Sequence, residues 1–217
     1  MIAVLMTELS GWAENRGQQT LISLITILTL IGSISMLRPD WCLAVFTGTF
    51  IWIGLSIGSS IWNNARTRDW FEKVRLPKTQ VTLGKFGAVL CMGVAHIIVI
   101  MPVFILMNGL WGIPWTVLLE VIAQSLIALL IAAVLGRFTL HLNFEDKGLF
   151  SFLLAILWLA PTFLFPMLRP FNPLFQVWQI TTTAQSLGIW WIGNLLLMIG
   201  LWCLENSFVW LEIKNND

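Results

Sequence analysis

Asn63 to Lys85 reads NNARTRDWFEKVRLPKTQVTLGK, and its place between two long apolar runs decides how the whole chain is laid out. It holds Arg66, Arg68, Lys73, Arg75, Lys78 and Lys85, six of the twelve lysines and arginines in 217 residues, against Asp69 and Glu72 alone. A short basic loop between membrane-length segments is kept on the cytoplasmic side, because translocating lysine and arginine is disfavoured during insertion. The loop therefore sets the orientation of every segment around it.

The chain is 58% hydrophobic and only 11% charged, whereas soluble domains carry roughly 25% charged residues. Its apolar runs reach the length of about 20 residues that a helix needs to cross a bilayer core. The expected fold is all-α: a polytopic membrane protein in one domain, residues 1–217, localised to the cell (inner) membrane. Six spans are expected at Leu21–Leu37, Trp41–Trp62, Phe86–Asn108, Pro114–Leu135, Leu149–Leu168 and Gly188–Trp210.

The charges test this layout. With both termini in the cytoplasm, the inner segments hold Arg16, the six basic residues of the 63–85 loop, Arg137, Lys147 and Lys214, while Arg38 and Arg169 alone fall outside. That division satisfies the positive-inside bias. The first residues lack the basic region, apolar core and small-residue site of a cleavable signal, so the first span is expected to direct insertion.

Before that span, Ile2, Leu5, Met6, Leu9, Trp12 and Ala13 recur at helical spacing, with Thr7, Glu8, Ser10 and Glu14 elsewhere on the wheel. Residues 1–17 are read as an amphipathic helix lying along the membrane surface. Gly109 to Ile113 is a tight turn. Pro161, Pro166, Pro170 and Pro173 forbid one straight helix through 161–188, which is read as a broken, external or re-entrant segment. Gly54 and Gly58 form a GxxxG that permits close approach of another helix. Cys42, Cys91 and Cys203 have no metal-type spacing and read as small buried residues.

Catalytic motifs are not found. Gly84-Lys85 lacks the upstream glycine and the following Ser or Thr of a phosphate-binding loop, and neither HExxH nor GxSxG occurs. The chain is therefore read as no enzyme, with no cofactor and no metal of its own. Ionisable groups inside spans are costly and tend to be functional, so His96, Glu120 and Arg169 are the candidates for a substrate path. Within the loop, Arg66 to Leu76 fits a short helix stopped by Pro77, with Trp70, Phe71 and Val74 on one face and Arg66, Arg68, Lys73 and Arg75 around it. It could bind anionic lipid head groups, or dock by aromatic anchors and a basic rim into a groove on a soluble partner.

Several features favour docking by resemblance. Glu72, Val74, Leu76 and Pro77, then Gly84-Lys85 opening span three, then Pro161, Pro166 and Asn172-Pro173-Leu174 before span six, resemble the pattern of type-2 ABC exporter permeases. The usual Gly-Thr before the glutamate is replaced by Trp70-Phe71, and Glu72 to Pro77 is one residue shorter than the usual spacing. The stretch from Leu76-Pro77 to Met101-Pro102 is also similar to the haem-exporter-type permease of cytochrome c maturation. The resemblance implies a permease in a homodimer or paired with a related permease, with Arg66, Arg68, Trp70, Phe71, Glu72, Lys73 and Arg75 docking on a separate ATPase that holds ATP and Mg. It implies export of an amphipathic or lipid-like substrate, with membrane lipids and no nucleic acid among the partners. A non-transporting membrane scaffold, or a component of a haem-handling complex, is the alternative.

Overall fold

The computed structural model describes residues 1–14, 27, 31, 39–62, 73–74, 76–138, 147–183, 192–201 and 203. All regular structure among them is helical. In chain order the elements are α1 (Ile2–Glu14), α2 (Pro39–Trp62), α3 (Lys78–Trp111), α4 (Trp115–Phe138), α5 (Lys147–Leu159), α6 (Pro161–Leu164), a 3-10 turn (Pro166–Phe171), α7 (Pro173–Thr183) and α8 (Ile192–Leu201).

Three of these, α2, α3 and α4, are long and apolar enough to cross a membrane. They correspond to the second, third and fourth expected spans. The first expected span, apart from Ile27 and Ile31, lies outside the described residues. The fifth is not one continuous helix, and the sixth is described only over α8 and Cys203.

The α2–α4 contact is the closest in the bundle, and small residues create it. A side chain on Gly54 would meet the Leu129 carbonyl and Ala132 Cβ, and one on Gly58 would meet the Ala133 backbone. The GxxxG of span two is thus used within the chain. Thr47 faces Ser125, Gly54 faces Leu129 and Gly58 faces Ala133, so α2 and α4 run parallel. The intervening α3 returns antiparallel: Phe104 packs edge-on to Phe46 with ring centroids 4.9 Å apart, Gly93 meets Leu126 and Leu129, and Lys85 reaches Ile61. Phe46, Phe50, Phe104, Met92 and Leu118 fill the centre of this packing.

The turn between α3 and α4 follows from its residues. Gly112 has φ 64°, a left-handed conformation that glycine adopts freely, and its N–H donates to the Asn108 carbonyl at 3.0 Å. Asn108 Nδ2 donates across the turn to the Ile113 carbonyl at 2.7 Å, and Pro114 then starts α4. Trp41, Trp111 and Trp115 all fall at this end, as an interfacial aromatic belt requires.

The third helix departs from expectation at its start. It begins at Lys78, directly after Pro77 at its N-cap position, so the last eight residues of the expected 63–85 loop are helical. Proline with a fixed φ suits a helix start; Gly84 costs about 1 kcal/mol in a helix interior but makes room for Val4 of α1. At 1.5 Å per residue its 34 residues span about 51 Å. The bilayer core is roughly 30 Å thick, so the helix tilts or projects beyond it.

The fifth segment breaks where the prolines fall. Pro161 has no N–H for the Leu157 carbonyl, but Ala160 keeps helical dihedrals (φ −64°, ψ −40°); the chain leaves them at Phe165 (φ −116°, ψ 101°) and passes through the 3-10 turn containing Pro170. It then re-enters as α7, with Gln176, Val177 and Ile180 buried against α2 and α4. Asn172 joins the two halves. Its Oδ1 accepts from the N–H groups of Leu174 and Phe175 at 2.9 and 3.1 Å, capping α7, with Pro173 in the first helical position. Its Nδ2 donates to Thr162 Oγ1 at 2.6 Å and to the Leu159 carbonyl at 3.3 Å. Trp158 Nε1 donates to the Phe171 carbonyl at 2.9 Å.

Two smaller expectations are also corrected. Cys42 is buried, but Cys91 and Cys203 are exposed. On α1 the wheel is turned: Val4 and Glu8 face the protein, and Ile2 and Met6 face outward.

The α2–α4 packing predicts asymmetric glycine sensitivity. Gly58→Val, which must move Ala133 backbone, is expected to cost about 1–3 kcal/mol or more of stability. Gly109→Ala, with open space around it, is expected to leave thermal unfolding of the purified protein unchanged. Melting curves of the two variants in detergent check this.

Candidate functional site: the basic joint and the buried amide chain

One end of the bundle gathers the last turn of α2, the first turns of α3, the last turn of α4 and all of α1. Lys85 sits at its centre. Its Nζ donates to the Ile61 carbonyl at the end of α2 at 2.8 Å and lies 3.5 Å from Glu8 Oε1 on α1. Both side chains are nearly fully buried, at 5% and 3% exposure. An ammonium removed from water needs a counter-charge and hydrogen-bond acceptors. Glu8 supplies the first, and the Ile61 carbonyl, in the last described turn of α2, supplies the second.

The glycine before this lysine has a separate reason. A side chain on Gly84 would overlap Val4, and one on Gly87 would press on Leu5 Cδ1. The two glycines open the groove in which α1 lies. Gly84-Lys85 is therefore a two-part seat. The glycine admits α1, and the lysine anchors it. Arg137, at the end of α4, is near enough to act electrostatically on Lys85.

A second polar layer lies deeper. Gln124 is nine residues into α4, roughly 13 Å from its start. Gln124, Gln176 and Asn194 come from α4, α7 and α8, and all three are fully buried. Asn194 Nδ2 donates to Gln176 Oε1 at 2.9 Å and to Gln124 Oε1 at 3.3 Å, and Gln176 Nε2 donates to the Pro170 carbonyl. The Pro170 carbonyl can only accept, which fixes the amide orientations along the whole chain. The Thr47 and Ser125 hydroxyls meet at 2.9 Å beside it. In an apolar surrounding such bonds hold helices together and specify their register.

Of the expected docking residues, Lys73 is helical and exposed, as is Val74 beside it. Arg66, Arg68, Trp70, Phe71, Glu72 and Arg75 lie outside the described residues. Lys85 belongs to the joint and is not available to a partner.

The three candidates for a substrate path sit on different elements. His96 is buried in α3, 2.8 Å from the Met92 carbonyl, and since a carbonyl only accepts, Nδ1 carries the proton. Glu120 is half-buried early in α4. Arg169, in the 3-10 turn, lies over the Phe175 ring at 4.8 Å. Among the described residues no three His, Cys, Asp or Glu side chains are grouped to hold a metal. The residues that sequence reasoning passed over are Glu8, Gln124, Gln176 and Asn194. Their signal was polarity inside apolar runs.

The joint predicts unequal costs for its two partners. Lys85→Met strands the buried Glu8 carboxylate and is expected to destabilise by about 3–5 kcal/mol. The double variant Glu8→Leu/Lys85→Met removes both charges and is expected to recover most of that loss. A double-mutant cycle on thermal unfolding in detergent measures the coupling.

Comparison of the chain with protein-family models, curated proteins and solved structures found no match.

Proposed function

We propose that this chain is the membrane subunit of an ATP-driven exporter. In this reading it has six spans and both termini in the cytoplasm. A second permease copy stands beside it, and a separate ATPase binding ATP and Mg docks on the segment around Arg66–Arg75. The cargo is amphipathic or lipid-like.

The observation that carries this reading is the joint at Lys85. The polar segment 63–77 is covalently continuous with the last turn of α2 on one side and the first turn of α3 on the other. Lys85, the eighth residue of α3, fastens α3 to the last described turn of α2 through the Ile61 carbonyl, and to α1 through Glu8. A displacement imposed on the segment therefore reaches two spans and the surface helix together. A motor acting there needs only to bind one arrangement of the joint better than the other. The Gly84-Lys85 seat and the broken, capped segment at Asn172-Pro173-Leu174 are the features shared with the type-2 exporter pattern.

Copurification followed by ATP hydrolysis tests the proposal. A nucleotide-hydrolysing partner is expected to copurify, and Trp70→Ala or Arg75→Glu is expected to lower its hydrolysis several-fold while the permease stays folded. Hydrolysis indifferent to both substitutions would favour the scaffold reading.

A further inference from the structure

The break between α6 and α7 lies deep in the bundle. A side chain on Gly48 would touch Leu174 at the start of α7, and the amide chain runs from the Pro170 carbonyl to Gln124. Gly48 and Gln124 each stand nine residues from the start of their helix, α2 or α4. Those starts lie at the Trp41, Trp111 and Trp115 belt, so the break is roughly 13 Å beneath it. That is near the middle of a bilayer core roughly 30 Å thick. The other half of the segment agrees. The Leu159 carbonyl, which accepts from Asn172 Nδ2, ends a helix that climbs about 20 Å over its 13 residues. Arg169 belongs to this break, well below the external position expected for it.

The backbone of the break is provided for. The N–H groups of Phe165, Leu168 and Asn172 donate to the Pro161, Phe165 and Arg169 carbonyls, and Trp158 and Gln176 serve the carbonyls of Phe171 and Pro170. The guanidinium is not. It lies over the Phe175 ring at 4.8 Å, its Nε is shielded from water without a hydrogen-bond partner, and no carboxylate among the described residues pairs with it. A ring face offsets only part of the lost hydration, and a charge at this depth marks a substrate or ion path. Its fork of donors matches a carboxylate or phosphate. At the same level, Gln124 Nε2 and Asn194 Oδ1 are also buried and unpartnered among the described residues, so this layer has more polar capacity than the fold uses. Just before Arg169, Phe163, Leu164, Phe165 and Met167 are 53–79% exposed. An anion that also carries an apolar chain suits both features.

We propose that Arg169 binds the acid group, carboxylate or phosphate, of an amphipathic anion near the middle of the membrane, with the apolar chain along 163–167. Naming this anion as cargo rests on the exporter reading, to which it adds the sign of the cargo's charge. The binding site itself does not rest on it.

Photolabelling of the full chain in neutral detergent tests the site, with hexadecanoic acid carrying a diazirine compared with the corresponding alcohol. The acid is expected to label 163–175 roughly tenfold more than the alcohol. Arg169→Gln should equalise the two, and Arg169→Lys should keep part of the preference. Octyl phosphate is expected to compete with the acid, and inorganic phosphate is not. Equal labelling by acid and alcohol in the unaltered protein overturns the site, as does a preference that survives Arg169→Gln. Competition by inorganic phosphate as strong as that by octyl phosphate overturns the amphipathic assignment. Selective labelling by the acid, together with failure of any ATPase to copurify, would keep the site and overturn its assignment to cargo.

Discussion

A lysine buried at the end of three helices is the constraint from which the organisation of this protein follows. Lys85 can leave water only if a carboxylate and an acceptor meet it, and the chain provides these from two different elements, Glu8 of α1 and the Ile61 carbonyl of α2. The surface helix is therefore fastened to the bundle, with Gly84 and Gly87 making room for it. The same contacts gather the end of one membrane-length helix and the start of the next.

The opposite requirement governs the interior. Gln124, Gln176 and Asn194 stand in apolar surroundings, where each amide must find partners or weaken the fold. They find one another in part: the Pro170 carbonyl gives the chain its direction, while Gln124 Nε2 and Asn194 Oδ1 have no hydrogen-bond partner among the described residues. That carbonyl is accessible because the α-helix is interrupted from 165 to 172, where Pro166 and Pro170 fall in a 3-10 turn, and Asn172 closes the interruption by capping α7 while holding Thr162 and Leu159. The break and the amide chain are thus one device. It places a short helix among the long ones and ties it to α4 and α8. Small residues at Gly54 and Gly58 bring α2 and α4 together beside it.

Much of the architecture was legible in the sequence because it depends on local properties. Apolar runs of membrane length announced α2, α3 and α4. Proline spacing announced the break after Leu159, and Gly54 with Gly58 announced a close helix contact. What could not be read was the identity of distant partners. Lys85 looked like part of a solvated basic loop because lysines usually are, and Glu8 like the wet face of a surface helix. Each was wrong for the same reason, since only the fold brings them within 3.5 Å. The start of α3 at Lys78 escaped for a related reason: polarity marked those residues as loop, although polarity alone does not oppose a helix. The amides of α4, α7 and α8 were visible as polar residues in apolar runs, but their mutual pairing is tertiary.

We propose that the basic segment leading into α3 is the handle of a separate motor. Lys73 is the exposed helical residue through which it can be probed. A photoreactive amino acid installed at position 73 in intact cells, with identification of the crosslinked species, is the direct measurement. The account predicts a crosslink to a nucleotide-hydrolysing protein in the cytoplasm that changes in yield when ATP is depleted. Crosslinks to lipid alone, or to components on the outer face of the membrane, would contradict it.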